Sequence, residues 1–205
     1  MLLKNTSKVI DLAYTYLGYT NNLRSADIDK LIDESIDELE KISQFKYIYE
    51  EFNYNLDFIN NNKVYLDFLN GCDKYYLVLT TLGKRVDDRV KYYSKTDLKK
   101  MTVFDACSGA YLETLADEYE EAHFNKPRTY RFCPGYQGTK IADLQEIFKI
   151  IKPEKAGVII LESNLMVPLK TMCGIIGFGK TANKKCGNCD LKDKCEFRKK
   201  GMTCY

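Results

Sequence analysis

The chain has 205 residues, of which 31 are lysine or arginine and 29 are aspartate or glutamate, so its formal net charge is +2. A charge this close to zero argues against a dedicated nucleic-acid-binding protein, whose affinity depends on neutralising phosphates. Apolar residues make up 45% of the chain and aromatic residues 13%, which excludes wholesale disorder and is enough for a packed core.

No segment of the sequence is typical of export or of membrane insertion. The first residues, Met1 to Thr6, lack the apolar core of a signal peptide, and the longest near-apolar run, Met172 to Gly179, is too short to span a bilayer. We therefore expect a cytoplasmic protein that does not act at a membrane. In that reducing compartment, clustered cysteines favour metal ligation or redox chemistry over structural disulfides.

The first 50 residues predict two helices. Residues 7–19 carry apolar side chains at helical spacing, with Ser7 as a candidate N-cap and Gly18 as a stop signal. Residues 25–48 form the clearest amphipathic pattern, with isoleucines and leucines on one side and aspartates and glutamates on the other. We interpret that acidic side as a solvated helix face.

The middle of the chain predicts two strands and then a long helix. Residues 64–69 and 74–82 are rich in branched and aromatic side chains, and Gly71 between them indicates a break. Apolar residues then recur at helical spacing from about residue 103 to residue 123, where Glu113 lies on a face away from the core.

The last third predicts a helix at about 139–151 and strands at 157–162 and 172–178. Helices at both ends of several non-alternating strands predict an α+β fold, with a mixed or antiparallel sheet flanked by helices. The composition changes at about residue 180. We therefore expect an α+β domain at 1–180, helical in its first 50 residues or so, and a cysteine-rich tail at 181–205.

Residues 174–181 fit the phosphate-loop pattern G-x-x-x-x-G-K-[ST], with Lys180 and Thr181 at the phosphate and magnesium positions. That loop must open a helix, whereas glycine and asparagine interrupt the residues after Thr181, and only 24 residues follow. We therefore favour a strand with a tight glycine turn over a nucleotide-hydrolysing site. Hydrolytic chemistry has little other support, because the only histidine, His123, has no cysteine at ligand spacing.

The segment from Tyr130 to Gly138 concentrates residues suited to ligand binding. Pro134 and Gly135 predict a tight turn whose backbone amides can approach a ligand closely. Arg131 offers a planar fork for a carboxylate, and Tyr136 offers a flat face and a hydroxyl. An ordinary aromatic-rich turn explains the same residues, and the physics of the segment alone favours that interpretation.

Three ordered segments of the sequence resemble the activation (reactivation) domain of cobalamin-dependent methionine synthase. They are Arg-x-x-Pro-Gly-Tyr at 131–136, the helix expected at about 139–151, and Gly-Val-x-x-x-Glu-Ser-x-x-Met-x-Pro at 157–168. The helix around Glu113 and the segment Thr171 to Gly174 are similar to further parts of that family, so the resemblance spans roughly residues 74–178.

In that family the domain binds S-adenosylmethionine and supports the reductive methylation of cob(II)alamin, with an electron from a flavodoxin-type donor. The resemblance implies a carboxylate-binding arginine, loop residues that give backbone and ring contacts, and a glutamate from the acidic helix. Arg131 would bind the carboxylate, and Glu113 would be the contact from the acidic helix. The loop residues would be Cys133, Pro134, Gly135 and Tyr136. The site's task would be to orient the methyl group rather than to move protons.

The resemblance also implies partners. The chain has no space for the substrate and cobalamin modules of the long enzyme, so we expect an accessory subunit of a cobalamin-dependent methyltransferase. Cobalamin would arrive on a methionine synthase or another corrinoid protein, and the electron on a flavodoxin- or ferredoxin-type protein.

The tail predicts a metal site. Four of the eight cysteines lie in the last 20 residues with the spacing C-x2-C-x5-C-x8-C, namely Cys186, Cys189, Cys195 and Cys204. Four thiolates on a short segment suit zinc or an iron–sulfur cluster. Both stay open, and the implied need for an electron favours the cluster slightly. We interpret the four scattered cysteines mostly as small buried hydrophobic residues.

A second hypothesis assigns the chain no S-adenosylmethionine site. In that case it is a non-catalytic redox or adaptor module that binds a corrinoid protein through its metal-bearing tail.

Overall fold

A computed structural model describes residues 3–19, 24–52, 56–182, 187, 189, 192–199 and 201. The helices in these residues are α1 (Thr6–Tyr16), α2 (Ala26–Ile42), α3 (Asp57–Asn60), α4 (Lys63–Leu69), α5 (Lys84–Thr96), α6 (Leu98–His123), α7 (Asp143–Ile150), α8 (Glu196–Lys199) and a 3-10 turn at Pro153–Ala156. The strands are β1 (Lys46–Phe52), β2 (Lys74–Thr81), β3 (Ile159–Ile160), β4 (Met166–Val167) and β5 (Thr171–Phe178).

The main sheet has three antiparallel strands in the order β1-β2-β5. Its register places Leu79 opposite Ile48 on one side and opposite Cys173 on the other. β3 and β4 form a separate antiparallel pair. The α+β class and the antiparallel sheet expected from the sequence are therefore confirmed.

The two faces of the sheet bury different sets of residues, because successive side chains of a strand point to opposite sides. One face, including Leu77 and Ile175, packs against α3, α4 and α7. The other, including Val78 and Ile176, packs against Phe124 just beyond the end of α6. The sheet thus has α3, α4 and α7 on one face and the end of α6 on the other.

A second core lies among the helices. The 26-residue helix α6 packs against α1, α2 and α5, and buries Phe104 and Leu115 among side chains such as Ile32 of α2. α1 is also held to α6 by polar contacts, since Glu118 accepts hydrogen bonds from the backbone N–H groups of Lys4 and Asn5 at 3.0 and 2.7 Å. The first helix of the chain therefore lies along the second half of α6.

Local capping explains two differences from the sequence-based expectations. Residues 64–69 are helical rather than extended, because the Asn62 side chain accepts a hydrogen bond from the Val64 N–H at 2.9 Å and caps α4. The N-cap of α1 is Asn5 rather than Ser7, since its side chain accepts from the Lys8 N–H at 3.0 Å.

Tertiary pairing explains two more differences. The helix expected over residues 25–48 ends at Ile42, and residues from Lys46 onward leave it to pair with β2 as strand β1. The strand expected at 157–162 is reduced to the two residues of β3. The phosphate-loop alternative is wrong, because residues 174–178 lie inside β5 and pair with β2.

Two of the scattered cysteines confirm their interpretation as small hydrophobic residues. Cys107 and Cys173 are buried, and burial raises the pKa of the Cys107 thiol to about 12. Cys72 and Cys133 are half-buried. None of the helices in the described part of the chain has the length and apolar character needed to cross a membrane.

Gly174 of β5 is a position where the fold requires the absence of a side chain. A Cβ there would lie 2.8 Å from both the Arg131 Cγ and the Phe132 carbonyl oxygen, well inside van der Waals contact. The segment that carries these two residues lies against the edge of β5, so Gly174 allows its close approach.

We expect Gly174→Ala to lower the free energy of unfolding by about 1–3 kcal/mol, because a packed backbone has to move to admit the methyl group. Urea unfolding followed by circular dichroism measures the change. Gly109→Ala is the matched control, since its Cβ would meet only the Tyr16 ring at 3.4 Å, inside helix α6. There the replacement should be neutral or stabilising, by up to about 1 kcal/mol; equal losses at the two positions would contradict the close approach.

Candidate functional site

A cleft of about 490 Å³ opens between α1, the second half of α6 and the segment that follows α6. Its volume falls in the range of small-molecule sites, roughly 300–1,000 Å³. Its lining combines acidic and basic side chains with a few uncharged ones: Lys8, Leu12, Glu113, Asp117, Glu120, Glu121, Lys126, Pro127, Arg128, Thr129, Tyr130, Arg131, Thr181 and Ala182. It is therefore a mixed-charge cleft rather than an apolar one.

Strand β5 fixes the segment after α6 in place. The Thr129 N–H donates to the Gly177 carbonyl at 2.8 Å. Phe132 and Ile175 exchange both backbone hydrogen bonds, at 2.9 and 2.8 Å. Because neighbouring side chains of an extended segment point to opposite sides, Phe132 enters the core under the sheet. Arg131 accordingly crosses Gly174 on the other face, towards α6.

The Arg131 guanidinium meets two carboxylates of α6. One terminal nitrogen donates to Oε1 of Glu120 and the other to Oδ1 of Asp117, the latter at 3.1 Å. The side chains of Arg131 and Glu120 are each only 5% exposed, whereas that of Asp117 is 42% exposed. One guanidinium therefore pairs with a buried carboxylate, Glu120, and with a partly exposed one, Asp117.

The network continues on both sides of Arg131. Towards the sheet, the Tyr47 hydroxyl of β1 donates to the same Glu120 oxygen at 2.8 Å. Towards the solvent, the Lys8 ammonium of α1 donates to Oδ2 of Asp117 at 2.8 Å. The five side chains of this network connect α1, α6, β1 and the segment that follows α6. They form one continuous set of polar contacts beside the cleft.

Burial and the neighbouring charges together set the pKa values of the side chains in this network. Burial lowers the pKa of Arg131, but the nearby carboxylates of Glu120 and Asp117 outweigh it, so the net pKa is raised. Burial raises the pKa of the Glu120 carboxyl, and both Arg131 and the Tyr47 hydroxyl oppose that effect. Burial also raises the pKa of Tyr47 itself, with Glu120 adding to it. The tyrosine therefore remains a neutral donor.

The carboxylates of the cleft share one face of α6. Asp117 follows Glu113 by four residues, and Glu120 and Glu121 follow Asp117 by three and four, the intervals that place side chains on one side of a helix. The sequence resemblance assigns a role in binding to Glu113 alone among them. The spacing of the other three, together with an arginine ten to fourteen residues later, was the available signal for Asp117 and Glu120.

The six predicted site residues fall into two groups. Glu113 and Arg131 both line the cleft, although they are eighteen positions apart in the sequence. The other four are the turn residues that follow Arg131 in the chain, and they are not among the residues that line the cleft: Cys133, Pro134, Gly135 and Tyr136. Their roles in binding stay predictions.

The turn itself has the expected form. Gly135 has a φ of +96°, and its N–H donates to the Thr139 hydroxyl at 3.0 Å. Pro134 is buried beneath the turn, whereas Tyr136 is 65% exposed and presents its ring at the surface. An exposed aromatic ring is a suitable surface for a ligand or a partner.

The predicted metal site is only partly within the described residues. Cys189 and Cys195 are half-buried, whereas Cys186 and Cys204 lie outside the described residues. Within the described ranges, no group of three or more histidine, cysteine, aspartate or glutamate side chains has an arrangement that could hold a metal ion. The four-cysteine site therefore stays a prediction.

Comparison with known proteins identifies the fold. No protein-family model matches this chain. No curated protein matches it significantly. Among solved structures, it is similar to the crystal structure of the MetH reactivation domain bound to AdoHcy, with a TM-score of 0.60 and 13% identity. That match covers 99% of this chain and 86% of the other, so the fold that the sequence resemblance predicted is confirmed.

The buried pair generates a stability prediction. Glu120→Ala leaves the Arg131 guanidinium largely buried with only Asp117 opposite it, and we expect a loss of about 3–5 kcal/mol in the free energy of unfolding. Tyr47→Phe removes a single hydrogen bond and should cost about 1 kcal/mol. Chemical unfolding of both variants measures the two losses. A Glu120→Ala loss no larger than that of Tyr47→Phe would show that the pair is not desolvated.

Proposed function

We propose that this chain, which has the fold of the MetH reactivation domain, binds S-adenosylmethionine and supports the reductive methylation of cob(II)alamin on a partner protein. The observation that carries the proposal is the mixed-charge cleft that Glu113 of α6 and Arg131 of the segment after α6 both line. Those are two of the residues that the sequence resemblance assigns to the ligand.

The donor set of the cleft fits the ligand. The amino-acid part of S-adenosylmethionine carries one ammonium and one carboxylate, and its sulfonium adds a second positive charge. The cleft offers acidic groups such as Glu113 on α6 and basic groups such as Arg131 and Arg128 on the facing segment. The ammonium and the carboxylate share one carbon of the ligand, so acidic and basic groups of the cleft can bind both and fix the orientation of the amino-acid part.

The residues of the chain act mainly by orientation. Arg131 is rigid because Glu120 and the sheet hold it, so it can bind a carboxylate in one fixed direction. Glu113, half-buried on α6, is placed to attract an ammonium group. When bound, S-adenosylmethionine supplies a methyl group that its sulfonium already activates, so no side chain is required as an acid or base.

The partner has to approach the turn beyond the cleft. Tyr136 and Ile141 are exposed there, with 65% and 50% of their surface accessible, and Ile141 packs against Gly135. Neighbouring exposed apolar side chains suit a protein that carries a large planar macrocycle. We assign this surface to the cobalamin-bearing partner, a methionine synthase or another corrinoid protein.

The tail completes the proposal. We assign Cys186, Cys189, Cys195 and Cys204 to one metal site, which holds an iron–sulfur cluster or zinc. A cluster at this site would relay the electron from a flavodoxin- or ferredoxin-type donor, whereas zinc would fix the shape of the tail. The chain is thus divided into the activation domain at 1–180 and a metal-binding tail at 181–205.

The second candidate function is an adaptor that binds a corrinoid protein through the tail and does not bind S-adenosylmethionine. The observation in its favour is the occupation of Arg131 by two carboxylates of the chain itself. The two functions differ in whether S-adenosylmethionine binds at all.

Isothermal titration calorimetry with S-adenosylmethionine tests the leading proposal. We expect wild-type binding, and a loss of at least about tenfold in affinity for Arg131→Lys, because an ammonium cannot reproduce the planar fork of the guanidinium. Arg85→Lys on the exposed side of α5 is the matched control and should bind like wild type.

A thermal melt of each variant shows whether the chain remains folded. If the folded wild type takes up no S-adenosylmethionine, the activation function is wrong and the adaptor function is favoured. Equal affinity in wild type and Arg131→Lys would instead move the carboxylate contact away from Arg131.

The metal assignment is tested by anaerobic purification with elemental analysis and a visible spectrum. We expect stoichiometric iron with broad visible absorption, or stoichiometric zinc in a colourless protein, since four thiolates suit either metal. Cys186→Ser and Cys204→Ser should both lose the metal, whereas Cys72→Ser, outside the tail, should keep it. Metal retained in both tail variants would contradict a four-cysteine site.

A further inference from the structure

Asp117 has two cationic partners of unequal depth. Its Oδ1 accepts from the buried guanidinium of Arg131 at 3.1 Å, and its Oδ2 accepts from the Lys8 ammonium at 2.8 Å. The Lys8 side chain is 39% exposed, and the Arg131 side chain is 5% exposed. Asp117 therefore bridges the mouth of the cleft and its deepest charge.

The two carboxylates on Arg131 differ in how easily they can leave. Glu120 is as buried as the guanidinium and also accepts a hydrogen bond from Tyr47, so removing it from Arg131 would strand a buried charge. Asp117 is 42% exposed and keeps Lys8 as a partner if it leaves Arg131. Exchange at the Asp117 position therefore carries the smaller penalty.

We infer that Asp117 occupies the place of a ligand carboxylate on Arg131 and is displaced when the ligand binds, remaining paired with Lys8. The inference rests on the proposed function, since it concerns the carboxylate of S-adenosylmethionine or its product. Asp117 is then a positioning and specificity residue. It keeps the guanidinium paired between ligands, and it lowers the affinity for every ligand that has to take its place.

The size of the effect follows from the exposure of the pair. Ion pairs with one well-solvated partner contribute little, so we expect Asp117→Asn to tighten the binding of carboxylate-bearing ligands by about three- to tenfold. The competition concerns only the carboxylate. A ligand with the same adenosine thioether but no amino-acid part should bind wild type and Asp117→Asn equally.

Calorimetry with two probes makes the test. S-Adenosylhomocysteine carries the amino-acid part, and 5′-methylthioadenosine lacks it. Asp117→Asn should tighten the first and leave the second unchanged. Asp37→Asn, which removes one negative charge from an exposed position on α2 outside the lining of the cleft, is the matched control and should alter neither by more than about twofold. Asp117→Ala repeats the test without an amide that could still accept a hydrogen bond.

Lys8 provides a second, independent readout. Lys8→Met removes the cation that stays paired with Asp117 after displacement. The change should therefore weaken S-adenosylhomocysteine binding when Asp117 is present. In the Asp117→Asn background the same change should have no effect, because no displaced carboxylate needs Lys8. Such a double-mutant cycle isolates the coupling between the two side chains.

Three results overturn the inference. If Asp117→Asn weakens S-adenosylhomocysteine, the aspartate binds the ligand's ammonium instead. If Lys8→Met weakens it equally in both backgrounds, Lys8 contacts the ligand directly. If Asp117→Asn binds like wild type, there is no competition, although the proposed function stands. Failure of the proposed function looks different, because neither wild type nor Asp117→Asn would then bind S-adenosylhomocysteine.

Discussion

The buried ion pair between Arg131 and Glu120 is the interaction on which the arrangement of the cleft depends. Neither side chain has access to enough water to be stable alone, so each requires the other in a fixed position. To reach Glu120, the arginine has to cross β5 at a residue without a side chain, and Gly174 provides that crossing. The pair therefore forms only when three features are correct together: the path of the segment after α6, its position along β5, and the rotation of α6 that directs Glu120 towards it.

The same coupling explains why β5 lies between two different environments. Its core face carries Ile175 against Phe132, and its other face carries the polar crossing at Gly174. The loop after α6 pairs with β5 on the edge opposite β2, so both faces of the loop are also determined. The charged cleft is thus built from the ordinary alternation of an extended chain, with alternate residues directed into core and cleft.

Sequence patterns predicted the parts of this structure that depend on local periodicity. The stripe along α2, the two long strands β2 and β5, and most of α6 were all visible in the spacing of apolar residues. Periodicity failed where a short apolar run fits either structure, as in α4, where the Asn62 cap decides for a helix. It also failed for β1, because Lys46 to Phe52 become a strand only when β2 is beside them.

The site shows the same division. The sequence resemblance assigned Arg131 and Glu113 to the ligand, and both residues line one cleft. It did not indicate that Glu120 and Tyr47 hold the arginine, since Tyr47 is 84 residues away from Arg131 in the sequence and only folding brings it near. Long-range polar partners of this kind leave no local pattern.

The contact between Lys8 and Asp117 joins positions 109 residues apart. Because α1 forms one wall of the cleft and α6 another, the cleft exists only after the first helix has docked on a helix synthesised much later. Contacts of such long sequence separation form slowly. A ligand held between these walls would bind only the completed fold and would stabilise it by mass action, joining the N-terminal helix and the sheet in one cooperative unit.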